Sequence, residues 1–157
     1  RVLSHVALAG DLQMHLSGAD RLALSHGLVS SPLRDLAIFG MLFTPSWNKV
    51  SDRQVVSAAA LHRIQKDTPP HAAYMAGTDG PLFMDALADD VISNNHQWDD
   101  IFPDGDFFKL GFMGQGLYVS PSRDLVIAYF STNPEEAPGE RYMRQRFLDF
   151  NSGGGFR

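Results

Sequence analysis

The chain contains no cysteine. A disulfide framework, a thiolate nucleophile and a cysteine-based metal site are therefore excluded. It contains no apolar run near the roughly 20 residues that a membrane-spanning helix needs. It has no excess of positive charge: 13 Lys and Arg stand against 18 Asp and Glu, giving a net charge of −5 and a pI near 5.6. That balance argues against nucleic acid or an anionic membrane surface as the main partner. The chain opens at Arg1 with neither a Met nor a signal-peptide pattern. The natural start is expected to lie upstream, so the compartment is not legible.

What is present suits one globular domain. The 157 residues are 44% apolar and 20% charged, enough to bury a sizeable core. The domain is expected over residues 1–150. Residues 151–157, with three consecutive glycines, read as a flexible tail. No internal repeat is found.

The densest strand signal runs from Phe107 to Thr132. Phe107–Leu110, Gly116–Ser120 and Leu125–Thr132 are rich in β-branched and aromatic residues and bounded by turn residues, as antiparallel strands joined by tight connections should be. Gly111, Gly114 and Gly116 interrupt the first run. They mark a bulged edge strand or a place where another group approaches the backbone closely.

The strongest helix signal opens at Ser31. Ser31 suits the N-cap, Pro32 the first helical position and Asp35 the first turn, where the helix dipole favours a negative charge. Leu33, Leu36, Phe39 or Gly40, and Phe43 fall on one stripe, and Gly40 is expected to admit a close neighbour. A second helix is expected over Ala58–Lys66, capped by Ser57, with Leu61 and Ile64 inward. Thr68–Asp106 reads as a long irregular segment with a helical turn near Phe83–Ala88. Arg141–Phe150 reads as an amphipathic helix with Met143, Phe147 and Phe150 on one side.

Two stretches resemble one family. Gly111-Phe112-Met113-Gly114-Gln115-Gly116, followed by Leu117–Pro121 and Arg123–Ile127, is similar to the C-terminal part of the β-lactamase-related serine hydrolases: class C β-lactamases, esterases, penicillin-binding proteins and 6-aminohexanoate-dimer hydrolases. Gly27–Phe43 resembles the helix that follows a glycine-rich segment in the same family. The resemblance covers only the second half of a family member. It implies an α+β fold with an antiparallel sheet and packed helices. It also implies acyl transfer on ester, amide or lactam carbonyls through a serine acyl-enzyme, without metal or organic cofactor.

Carried over residue by residue, the resemblance places Phe112-Met113-Gly114 at the family's three-residue active-site motif. Phe112 stands where β-lactamases carry Lys, which weakens the case for a carboxylate-bearing β-lactam. Gln115 would offer the second oxyanion N–H, Gly114 would permit close approach, and Phe112 and Met113 would line the substrate side. The expected partners are a small ester, amide or lactam, the N-terminal half of the same fold, and a second copy in a homo-oligomer.

Ser46-x-x-Lys49 matches the family's nucleophile signature in spacing alone. Pro45 precedes it and no apolar helix follows, so it is rejected as the nucleophile. The family's Tyr-x-Asn or Tyr-x-Ser motif has no credible match either, because Tyr118-Val119-Ser120, which has the spacing, falls inside a strand run. The nucleophile is therefore expected outside this chain, and the chain alone is expected to be inactive. Trp98 is expected to anchor the long loop to the core, and the alternative makes His96 or Trp98 part of a substrate wall. His5, His15 and His26 lack metal-ligand spacing. Asp99, Asp100, Asp104 and Asp106 fit no calcium loop and read as a solvated acidic loop. The rival function is a non-catalytic module of the same fold that binds peptide or peptidoglycan-like ligands.

Overall fold

Residues 93–130 form one antiparallel sheet, joined strand to strand in chain order. The computed structural model describes residues 5–18, 20–23, 29–77, 90–111 and 114–131. The expectations placed on His26, Phe83–Ala88, Phe112, Met113, the helix over 141–150 and the tail over 151–157 lie outside them.

The sheet has five strands: β3 (Ser93–Asn95), β4 (Trp98–Ile101), β5 (Phe107–Gly111), β6 (Gln115–Ser120) and β7 (Leu125–Phe130), hydrogen-bonded in that order. A separate ribbon pairs β1 (Gln13–Met14) with β2 (Val29–Ser30). The helices are α1 (Leu33–Met41), α2 (Ala58–Lys66) and α3 (His71–Ala76), with a short 3-10 helix at Pro45–Lys49 after α1. The result is a mixed α+β architecture on an antiparallel sheet, and among the described residues no helix is long and apolar enough to cross a membrane.

Register assigns the side chains to faces. Ile101, Phe107, Val119 and Val126 stand opposite one another along one row, and the adjacent row is Asp100, Phe108, Tyr118 and Ile127. Successive strand residues point to opposite faces, so the row of Phe107 meets α1 and α2 and the row of Phe108 lies on the side of α3. The helix-facing core gathers Leu42, Phe43, Ile64, Trp98, Ile101, Phe107, Leu117 and Val119. Phe43 meets Phe39, Trp98 and Phe107 edge-on, with ring centroids 5.2–5.7 Å apart, a geometry that the ring quadrupoles favour. The opposite core holds Tyr74 from α3 with Val91, Phe102, Phe108 and Tyr118.

Gly40 shows why α1 lies so close to the sheet. A Cβ at this position would sit 2.6 Å from Val126 Cγ1 and 3.0 Å from Leu117 Cδ1. The start of α1 differs from expectation. Pro32, and not Ser31, occupies the N-cap position, and no side chain caps the helix. Leu33 is exposed, while Ile38 and Leu42 carry the buried stripe with Phe43. Asp35 does lie in the first turn, but its buried carboxylate accepts the amides of Ala9 (2.7 Å) and Gly10 (2.9 Å). It ties the N-terminal segment to the helix.

α2 spans the expected residues, with the Ser57 hydroxyl accepting the Ala60 amide at 3.1 Å. Its far end is closed by an unexpected group. The Asn95 side-chain amide donates to the carbonyls of Arg63, Ile64 and Asp67, satisfying carbonyls that a helix C-terminus leaves without intrahelical partners.

Thr68–Asp106, expected to be irregular, instead contains α3, β3 and β4. The glycine-rich hairpin, expected at a sheet edge, joins β5 and β6 inside the sheet, and β7 is the edge. Thr44–Lys49, expected as a loop, contains a 3-10 helix that Thr44 caps from its side chain.

Candidate functional site

The β5–β6 hairpin is built around one backbone conformation. Gly111 pairs with Gln115 across three intervening residues, and Gly114, the last of them, has φ +96°. A three-residue hairpin loop with glycine in the left-handed region forms a bulge that disrupts the ladder locally. Any L-residue at position 114 would be strained.

The peptide after Gly114 is held from one side. Its carbonyl accepts the Ser131 amide at 3.0 Å and the Ser131 hydroxyl at 2.6 Å. In a trans peptide the N–H points away from the C=O, so the Gln115 N–H is turned away from β7 and toward the Gly111 end of β5. Gln115 is half-buried, and its side chain packs close beside Gly111. A Cβ on Gly116 would strike the Tyr129 ring at 2.5 Å, so that glycine makes room for an aromatic neighbour. Ser131 was not singled out from the sequence. A lone serine after a strand carries no signal until the register places it beside Gly114.

On β5, Leu110 donates its amide to the Asp99 carboxylate (2.7 Å), which also receives the Lys109 ammonium (2.8 Å). Trp98 is only 6% exposed and sits in the helix-facing core against Phe43 and Phe107. His96 is exposed on the β3–β4 turn at φ +48°. Burial thus separates the two: Trp98 presents its ring to the core and His96 to solvent.

The acidic stretch is not a solvated loop. Asp100 and Asp106 are buried, because β4 and the connection after it lie inside the sheet. Asp106 receives the Tyr118 hydroxyl and the Arg123 guanidinium, the latter at 2.7 Å. Arg123 also reaches Asp104 (3.1 Å) and Ser120 Oγ (3.1 Å). Burial pushes the Asp106 carboxyl above its ordinary range, and the hydrogen bonds from Tyr118 and Ser120 and the charge of Arg123 offset part of that rise. The network joins the β4–β5 connection to the β6–β7 connection. It lies at the opposite end of β5 from Gly111, with Asp106 roughly 17 Å away at the usual rise per strand residue. It therefore belongs to the frame and not to the glycine hairpin.

Ser46 and Lys49 lie in the short 3-10 helix, where the Ser46 amide and hydroxyl donate to Asp124 at 3.0 and 2.8 Å. The Ser46 hydroxyl bond, then those of Thr44 and the Ser46 amide, hold the Asp124 carboxyl below its usual value. Asp124 acts as a remote cap from 78 residues away. Among the described residues no cluster of three or more His, Cys, Asp or Glu could hold a metal ion.

Comparison with family models, with curated proteins and with solved structures finds no match.

Proposed function

We propose that this chain is the sheet side of a β-lactamase-related serine hydrolase acting on small esters, amides or lactams. In this reading the fold is the C-terminal portion of the β-lactamase/transpeptidase-like fold. The serine that forms the acyl-enzyme comes from outside residues 1–157. The Gln115 N–H is one of two donors to the tetrahedral oxyanion, Gly114 keeps the approach open, and Phe112 and Met113 line the substrate.

One observation carries the reading more than any other. The two stretches that carry the family resemblance are neighbours in space, with Gly40 of α1 against Leu117 and Val126 of the sheet. Water would enter after the leaving group departs and release the acyl group from the serine.

The test is turnover of a p-nitrophenyl ester by the protein in its natural sequence context. Gln115→Ala keeps the N–H and is expected to change turnover little. Gln115→Pro removes it and should cost on the order of a hundredfold. Gly114→Val keeps every N–H and should impair binding and, through backbone strain at φ +96°, stability as well. Melting temperatures of all three serve as folding controls. Equal turnover by folded Gln115→Pro and Gln115→Ala would remove Gln115 from the mechanism.

A further inference from the structure

Residues 5–10 lie outside both the five-stranded sheet and the β1–β2 ribbon. They are tied to the rest of the fold at two places. At one, the Ala7 amide donates to the Val50 carbonyl at 2.9 Å, Val6 bridges Ser51, and His5 Nδ1 lies 3.3 Å from Asp52 Oδ1. At the other, the Ala9 and Gly10 amides both donate to the Asp35 carboxylate, which is 4% exposed. Gly10 passes so close to the start of α1 that a Cβ there would sit 2.8 Å from Pro32 Cγ.

The chain between the two ties has little slack. The Leu8 amide donates to the Val6 carbonyl at 2.8 Å, closing a three-residue turn. A shift at one tie is therefore passed to the other. The Asp35 tie is itself all-or-none. A buried carboxylate that loses its donors is costly, so the Ala9 and Gly10 amides leave it together. The other holding forces are small. Ala7, Ala9 and Gly10 are exposed, and of the side chains in this segment Val6 is the one packed against the helix-facing core. Exposed backbone hydrogen bonds and few buried apolar contacts mark a segment that opens at a lower free energy than the core.

We propose that residues 5–10 form a strap that opens and closes as one unit, with the Asp35 carboxylate as its latch. Opening uncovers Pro32 and Asp35 at the N-terminal end of α1 and withdraws Val6 from the edge of the core, while the five-stranded sheet stays closed. The device goes beyond the hydrolase reading and does not depend on it.

Native-state amide hydrogen exchange, followed by NMR in urea concentrations below the unfolding transition, tests it. Ala7, Ala9 and Gly10 should share one protection factor and one urea dependence. Leu117 and Val119, on β6 and paired on both sides, should exchange more slowly and with a steeper urea dependence, because their opening exposes more surface. Asp35→Asn keeps the shape of the side chain, removes its charge and leaves one oxygen for two amides. It should speed all three strap amides by one common factor, on the order of tenfold. Val6→Ala weakens the opposite tie and should speed Ala9 and Gly10 by the same factor as Ala7. Three unequal protection factors in the unmodified protein would overturn the proposal. So would strap amides as slow as Leu117 and Val119, which would mean that the segment opens only with the whole fold. A variant whose effect stops at its own tie would overturn it as well.

Discussion

The two faces of the five-stranded sheet are held by different physics. The face under α1 and α2 is hydrocarbon and aromatic rings, with Ile101, Phe107 and Val119 wholly buried. The other face mixes Phe108 and Tyr118 with a carboxylate network anchored on Asp106 and Arg123. The first gains from burial alone, which is non-directional and tolerant of small shifts. The second works only when every polar partner is in place, because a buried charge without its partners is costly. The difference teaches where this fold is tolerant and where it is exacting.

Truncation of the apolar face should give the largest effect. Phe107→Ala removes a fully buried ring that touches Phe43 and Trp98, and a loss of about 3–5 kcal/mol is expected in denaturant unfolding. A loss below that of the polar variants would reverse the comparison. On the polar face, Tyr118→Phe and Asp106→Asn each disturb a charge-assisted hydrogen bond and should cost roughly 1.5–3 kcal/mol. The double variant should cost less than the sum, since both act on one network. Strict additivity would show that the two groups do not act as a unit.

Gly40→Ala sharpens the comparison at the helix–sheet seam. The added methyl meets Val126 and Leu117 at overlapping distance, an overpacking cost of about 1–3 kcal/mol, of which better helix propensity returns about 1. A net loss is expected, and Val126→Ala in the same chain should relieve part of it. A more stable Gly40→Ala would show that the seam has slack.

The smallest effect is on the pH dependence of stability. The Asp106 carboxyl is raised above its ordinary 3.8. Between that value and its folded value the unfolded chain has released a proton that the folded chain keeps. Its contribution to stability therefore falls as pH rises through that window. Asp124 is lowered from 3.8, so its contribution is present above 3.8 and is lost as pH falls through the folded value. Urea midpoints across the acid range should show Asp106→Asn flattening the first trend and Asp124→Asn the second.

The sequence carried the apolar part of this picture and little of the polar part. β5, β6 and β7 were legible because Phe107–Phe130 combines strand-forming residues with sharp turn signals, and α2 because Ser57 caps a stretch with Leu61 and Ile64 at helical spacing. β3 and β4 were hidden. Ser93-Asn94-Asn95 and Trp98-Asp99-Asp100-Ile101 have poor strand composition, and long-range partners override it: Leu110 and Lys109 hold Asp99, and the α2 C-terminus holds Asn95. The aspartates looked solvated because nothing local shows that Tyr118 and Arg123 close over Asp106. At the candidate site the glycines were visible, but Ser131 acts through a register that no local pattern encodes.

The most direct test of the functional account is fluorophosphonate labelling of the protein in its natural sequence context, with the modified residue located by mass spectrometry. The account predicts one labelled serine, in a Ser-x-x-Lys outside residues 1–157, and no label on the 157-residue chain by itself. A label on Ser46 that disappears in Ser46→Ala, or no labelled serine in either form, would contradict it.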